Sequence, residues 1–131
     1  MSDETTLIIV VLVCFQIKHF VADYMLQPLW MIRDKGHLDQ AGGYIHAGIH
    51  ALGSIPALLV AGLSLAPLAL MIAAEFVIHF AVDHTKARIS MKGDKGPSTA
   101  AFWALHGADQ LIHHLTYIAM AVIAALWAVS G

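Results

Sequence analysis

Four apolar segments dominate this chain, at roughly 6–27, 43–62, 66–86 and 99–129, and each supplies the ~20 residues a helix needs to cross a hydrocarbon core. In lipid a backbone must satisfy its own hydrogen bonds, so such segments are helices. The chain is 59% hydrophobic and 12% charged, whereas a soluble domain carries about 25% charged residues. Its 131 residues are too few to hide that much apolar surface in a water-facing fold. The expectation is one all-α transmembrane domain over 1–131, a four-helix bundle.

Local signals mark the ends. Pro28 follows the first segment, and Gly62 and Pro67 bracket the turn between the second and third. "KGPSTA" opens the fourth, with Gly96 or Ser98 as candidate caps. Pro56 falls inside the second helix, where it should kink it or leave a carbonyl free. The acidic start "MSDETT" lacks a basic n-region, so the first apolar run reads as a retained helix.

Arg33 and Lys35 lie in the first loop, and Lys86, Arg88, Lys92 and Lys95 at or in the third; the second loop has no Lys or Arg. The positive-inside rule then puts loops one and three in the cytoplasm and both termini outside, in a bacterial inner membrane. Lys18, one step off the polar stripe, is expected to snorkel to a headgroup. A net charge of −2 gives no basic face for nucleic acid. The single Cys14 excludes an internal disulfide and a cysteine metal knuckle, and reads as a packing residue.

Residues 19–46 align without gaps on 79–106. His19 meets His79, Phe20 meets Phe80, Asp23 meets Asp83, and Met31 meets Met91. Asp34-Lys35-Gly36 meets Asp94-Lys95-Gly96, Ala41 meets Ala101, and His46 meets His106. Shared membrane bias does not explain matching His, Asp and Lys. The alignment predicts two duplicated helical hairpins, about 6–62 and about 66–129, related by a pseudo-two-fold axis along the membrane normal.

Each helix carries a polar stripe at same-face spacing. The first has Gln16, His19, Asp23 and Gln27; the second has His46 and His50; the third has Glu75, His79, Asp83 and Lys86; the fourth has His106, Asp109, Gln110 and His113. Counted from the cytoplasmic ends at 1.5 Å per residue, His19, His50, His79 and His106 all fall roughly 10–12 Å inside. Buried carboxylates facing imidazoles are costly unless something offsets the desolvation. A divalent metal does so, and zinc, iron and manganese all accept these ligands. Helix bundles build two-metal sites by projecting such residues inward. The candidate ligands are His19, Asp23, His46, His50, His79, Asp83, His106, Asp109 and His113, with two ions expected. Glu75 is the candidate general base. Gln27, Lys86 and Gln110 are expected to orient the ligands. His37 reads as a solvated loop residue, and His84 and His114 as interfacial.

The set H-x3-D-x3-Q, H-x3-H, E-x3-H-x3-D-x2-K and D-Q-x2-H, in that order on four helices, resembles an uncharacterised family of small bacterial integral membrane proteins. That family is a domain of unknown function, so the resemblance implies a fold and a polar core but no reaction. On its histidine–carboxylate helices alone, the pattern is also similar to families labelled membrane-bound metal-dependent hydrolases. The function expected is metal-assisted hydrolysis of a lipid or lipid-linked substrate at the cytoplasmic leaflet. The alternatives are a divalent-cation or proton pathway and a structural His–carboxylate network. Four short helices leave little room for alternating access unless the chain forms a homodimer. Bis-histidine haem ligation is disfavoured by the interleaved carboxylates.

Overall fold

The computed structural model describes residues 3–93 and 96–130, the side chains of 129 and 130 excepted. The described residues are helical, without a strand. Helix α1 (Asp3–Phe20) runs into a π turn (Val21–Met25); α2 (Leu29–Asp34) is short; α3 (Gly42–Gly53) and α4 (Ile55–Val60) form one interrupted rod; α5 (Leu65–Ser90) and α6 (Ala100–Ser130) are long. Four helical stretches are long and apolar enough to cross a membrane: Asp3–Met25, Gly42–Val60, Leu65–Ser90 and Ala100–Ala128. They close a ring, with α1 against α6, α6 against α5, α5 against α3, and α1 against α4.

The boundaries follow from local chemistry. Gly62, at φ +79°, closes α4 where a side chain would be strained. Gly62 N bonds Leu59 O and Leu63 N bonds Leu58 O, the pairing of a Schellman end. The break between α3 and α4 falls at Ser54, two residues before Pro56, which has no N–H to give. At the start of α6, Phe102 N donates to Thr99 Oγ1 at 3.2 Å. Thr99 is therefore the cap, in place of the expected Gly96 or Ser98, because its hydroxyl reaches the third amide of the helix.

Polarity is inverted relative to a soluble domain. Ile17, Val60, Leu65, Leu70, Val77 and Leu126 are exposed, while His19, His46, His50, Glu75, His79, Asp83, Asp109 and His113 are buried. Along the ring axis the interior has two halves. Val11, Phe15, Leu58, Leu68, Met71, Met120, Ala121 and Ala124 pack as an apolar plug at the end with the 61–64 turn. The polar residues fill the other half, toward the loops after α1 and α5. Cys14 faces outward, not into the packing expected for it, because Val11 and Phe15 take the inward face of α1.

Two sequence expectations meet a boundary. Asp94 and Lys95, which the repeat sets against Asp34 and Lys35, lie outside the described residues. Helix α5 ends at Ser90, four residues beyond the expected 86; at 1.5 Å per residue that moves depth counted from its end by roughly 6 Å.

Candidate metal centre

The π turn on α1 sets the first carboxylate. Leu26 N bonds Val21 O at 3.0 Å, a five-residue closure, and such turns recur at functional sites. Gln27 Nε2 donates to the Asp23 backbone carbonyl at 3.0 Å and so holds the end of the turn. Asp23 Oδ1 lies 3.0 Å from His50 Nε2 and 3.1 Å from His46 Nε2. Asp23 Oδ2 lies 3.2 Å from His19 Nε2.

Helix α3 delivers two imidazoles one turn apart, and it does so at close range. Ala47 and Ala51 are buried on the same face, and a Cβ on Gly43 would stand 3.2 Å from the Phe80 ring. Small residues here let α3 approach α5 closely. Across that seam lies the second carboxylate. Asp83 Oδ2 is 3.4 Å from His46 Nε2, 3.4 Å from His79 Nε2 and 2.7 Å from Lys35 Nζ. Asp83 Oδ1 is 3.3 Å from His113 Nε2. The rings stack in sequence, His50 on His79 at 3.8 Å between centroids and His79 on His113 at 4.1 Å.

Two groups result whose ligand atoms lie within 4.8 Å of one another: Asp23, His46, His50 and His79, and His79, Asp83 and His113. His79 belongs to both. The four ring nitrogens of His46 and His79 are buried and make no hydrogen bond among the described residues. Their Nε2 atoms approach the two aspartates without the alignment a hydrogen bond requires. A buried imidazole without a hydrogen-bond partner is costly. The same disposition suits a cation between the groups: a tetrahedral zinc with bonds of about 2.0–2.2 Å separates its ligand atoms by roughly 3.3–3.6 Å. The 3.4 Å separations of Asp83 from His46 and His79 fit that spacing, whereas Asp23 stands closer, 3.0 Å from His50 and 3.1 Å from His46.

Orienting partners surround the cluster. The Tyr117 hydroxyl lies 3.0 Å from His19 Nδ1 and 3.2 Å from His50 Nδ1, leaving each Nε2 directed at Asp23. Gln110 Oε1 is 2.9 Å from His19 Nε2, and Gln110 Nε2 donates to Asp23 and Asp109. Lys86 Nζ donates to Asp109 Oδ2 at 2.8 Å, and Asp109 Oδ1 is 3.5 Å from His113 Nε2.

Five residues depart from the sequence expectation. His19 and Asp109, expected as ligands, belong to neither ligand group and stand at their edge, 3.2 Å from Asp23 and 3.5 Å from His113. His106 is outside the imidazole stack, 3.3 Å from Lys86 through Nδ1. His113, two turns along α6, occupies that level instead, stacked on His79; the longer α5 accounts for roughly 6 Å of the ~10.5 Å between the two positions. Glu75 contributes to neither ligand group and is bonded to Lys18 Nζ. Lys18 itself does not snorkel outward. It crosses the bundle, donating also to the His50 carbonyl and the Tyr117 hydroxyl, each at 3.2 Å. Gly53 makes this path available, since a Cβ there would stand 2.8 Å from Lys18 Cγ. Of the remaining stripe, Gln16 is exposed. His37 is exposed, His114 rings against His19 at 5.2 Å, and His84 Nδ1 is 2.8 Å from Lys35 O.

Tyr117 and the π turn were not anticipated. Tyr117 follows His113 by four residues on the polar face of α6, a spacing that could have flagged it. Nothing in "VADYM" announces a π turn.

A family model described as protein of unknown function, DUF3307, matches residues 11–130. No curated protein and no solved structure matches.

Proposed function

We propose that this chain, which belongs to the DUF3307 family of proteins of unknown function, is an integral membrane protein that holds divalent metal in its buried histidine–aspartate cluster. The observation that carries the reading is the pair of buried Nε2 atoms of His46 and His79, which stand 3.1 Å from Asp23 and 3.4 Å from Asp83 without a hydrogen bond among the described residues. Asp23, His46 and His50 form one side of a two-ion site and Asp83 and His113 the other. His79 lies within reach of both, and Asp109 stands beside His113. Zinc, iron and manganese suit this donor set.

The membrane assignment draws on the four apolar helices and the inverted polarity of the bundle. The Lys and Arg of the first and third loops favour cytoplasmic placement of the polar end, with both termini outside. The two-hairpin duplication is supported by the ring, in which α1 stands diagonal to α5 and α3 to α6. His46 and His106 depart from it.

The reaction we favour is hydrolysis of a lipid or lipid-linked substrate. A divalent ion in such a site lowers the pKa of water and supplies a nucleophile at neutral pH. The chain's own part is to hold the ligands through Tyr117 and Gln110, and to keep the other half of the bundle dry. The apolar plug also disfavours a cation pathway, because it offers a crossing ion no ligand in that half. Glu75 reaches the cluster through Lys18, which bonds the Tyr117 hydroxyl and the His50 carbonyl, so its acid–base role is at one remove. Metal analysis of purified protein tests the proposal: one or two zinc, iron or manganese ions per chain are expected, with fewer in His79→Ala. Protein that is metal-free after gentle purification and binds none of these ions when they are added overturns it.

A further inference from the structure

We infer that the cavity at the loop end of the bundle receives a phosphate ester group. This cavity, of about 470 Å³, opens between the segment after the π turn, the C-terminal part of α5 and the start of α6. Such a volume is within the usual range for small-molecule sites. Three cationic side chains line it, Arg33, Lys35 and Lys86, against one carboxylate, Asp83. Lys35 is engaged by Asp83 and Lys86 by Asp109. Arg33 is exposed and has no carboxylate partner among the described residues. A planar guanidinium of this kind favours paired hydrogen bonds to phosphate oxygens. His106, which the histidine cluster leaves out, also lines this cavity.

Position narrows the chemistry further. Asp83 is at once a wall of the cavity and a member of the proposed metal site. A phosphate held by Arg33 therefore stands in the cavity that Asp83 walls. Ile32, Met91 and Phe102 give the same cavity an apolar side. An ester with a polar head and an apolar tail meets both surfaces. The inference rests on the proposed metal site for the meaning of this adjacency, but the binding itself does not require metal.

The test uses the full chain in a neutral detergent, treated with EDTA, so that its outcome is separate from that of metal analysis. Binding of phosphatidic acid, of glycerol 3-phosphate and of diacylglycerol is followed by tryptophan fluorescence. Saturable binding of phosphatidic acid with weaker binding of diacylglycerol is expected, reduced about fivefold to tenfold in Arg33→Gln. Arg88→Gln removes the same charge outside the cavity and should bind like wild type. If phosphatidic acid alone binds, the group is a lipid headgroup. If glycerol 3-phosphate binds as well, the site takes soluble phosphate esters too. Both results support the inference. It is overturned if neither phosphate ester binds saturably, if diacylglycerol binds as tightly as phosphatidic acid, or if Arg33→Gln and Arg88→Gln behave alike.

Discussion

Lys18 Nζ is bonded to Glu75 Oε1 inside the bundle, with the two side chains only 9% and 1% exposed. One comes from α1 and the other from the diagonally placed α5, so this pair bridges the ring above the histidine cluster. The lysine also rests over the Tyr117 ring, 4.2 Å from its centroid. An isolated buried carboxylate is far more costly than a paired one. Lys18→Met should therefore destabilise the protein by about 3 kcal/mol or more. The double variant Lys18→Met/Glu75→Gln, which removes both charges, should recover much of the loss. Thermal unfolding in detergent measures both. Equal stability of the single and double variants would show that the pair is not coupled.

Gly53 tests the same crossing from its neighbour. A side chain at this position meets Lys18 Cγ at 2.8 Å. Gly53→Val should displace the lysine and cost about 1–3 kcal/mol by overpacking. Gly48, where a Cβ meets nothing within 4 Å, is the control. Gly48→Ala should leave the unfolding temperature unchanged or slightly raised, as replacing a mid-helix glycine does.

Tyr117 acts on the cluster through its hydroxyl. Tyr117→Phe keeps the ring that packs on Phe15, at 5.5 Å between centroids, and removes the group that holds His19 and His50. Metal affinity should fall by about tenfold, within the range for lost orienting partners, while thermal stability of the metal-free protein changes less than in Lys18→Met. Competition with a chelator of known affinity measures it, and unchanged affinity would remove Tyr117 from any part in the site.

His106 and His113 separate the two registers of α6. His113→Ala should lower the number of metal ions per chain, whereas His106→Ala should retain the wild-type number, because its ring lies outside the imidazole stack. Metal analysis of the two purified variants side by side checks this. The opposite ranking would place the site one level nearer the loops.

Cysteine labelling tests the orientation. Ser64→Cys in the turn before α5 should react with an impermeant reagent from outside the cell, and Lys92→Cys after α5 only from the cytoplasmic side. The reverse pattern would invert the proposed topology.

Apolar length and helical spacing are properties of a single chain segment, and they made much of this protein legible before any coordinates. Four long apolar helices follow from hydropathy alone, and the three-and-four spacing of His19 and Asp23, of His46 and His50, and of Glu75, His79 and Asp83 puts each set on one face. Periodicity fixes the face a residue occupies, but it carries no information on how one helix slides against another. Each residue of error in a helix end displaces the level by 1.5 Å, and the extension of α5 to Ser90 accounts for roughly 6 Å of the ~10.5 Å between His106 and His113; the rest lies in how α6 slides against α5. Packing also decided the path of Lys18. Its position off the polar stripe suggested a headgroup, yet Gly53 opens a channel through the helix seam, and Glu75, Tyr117 and the His50 carbonyl together satisfy the ammonium once it is inside. Those partners come from three other helices, so only the assembled bundle could bring them to one lysine.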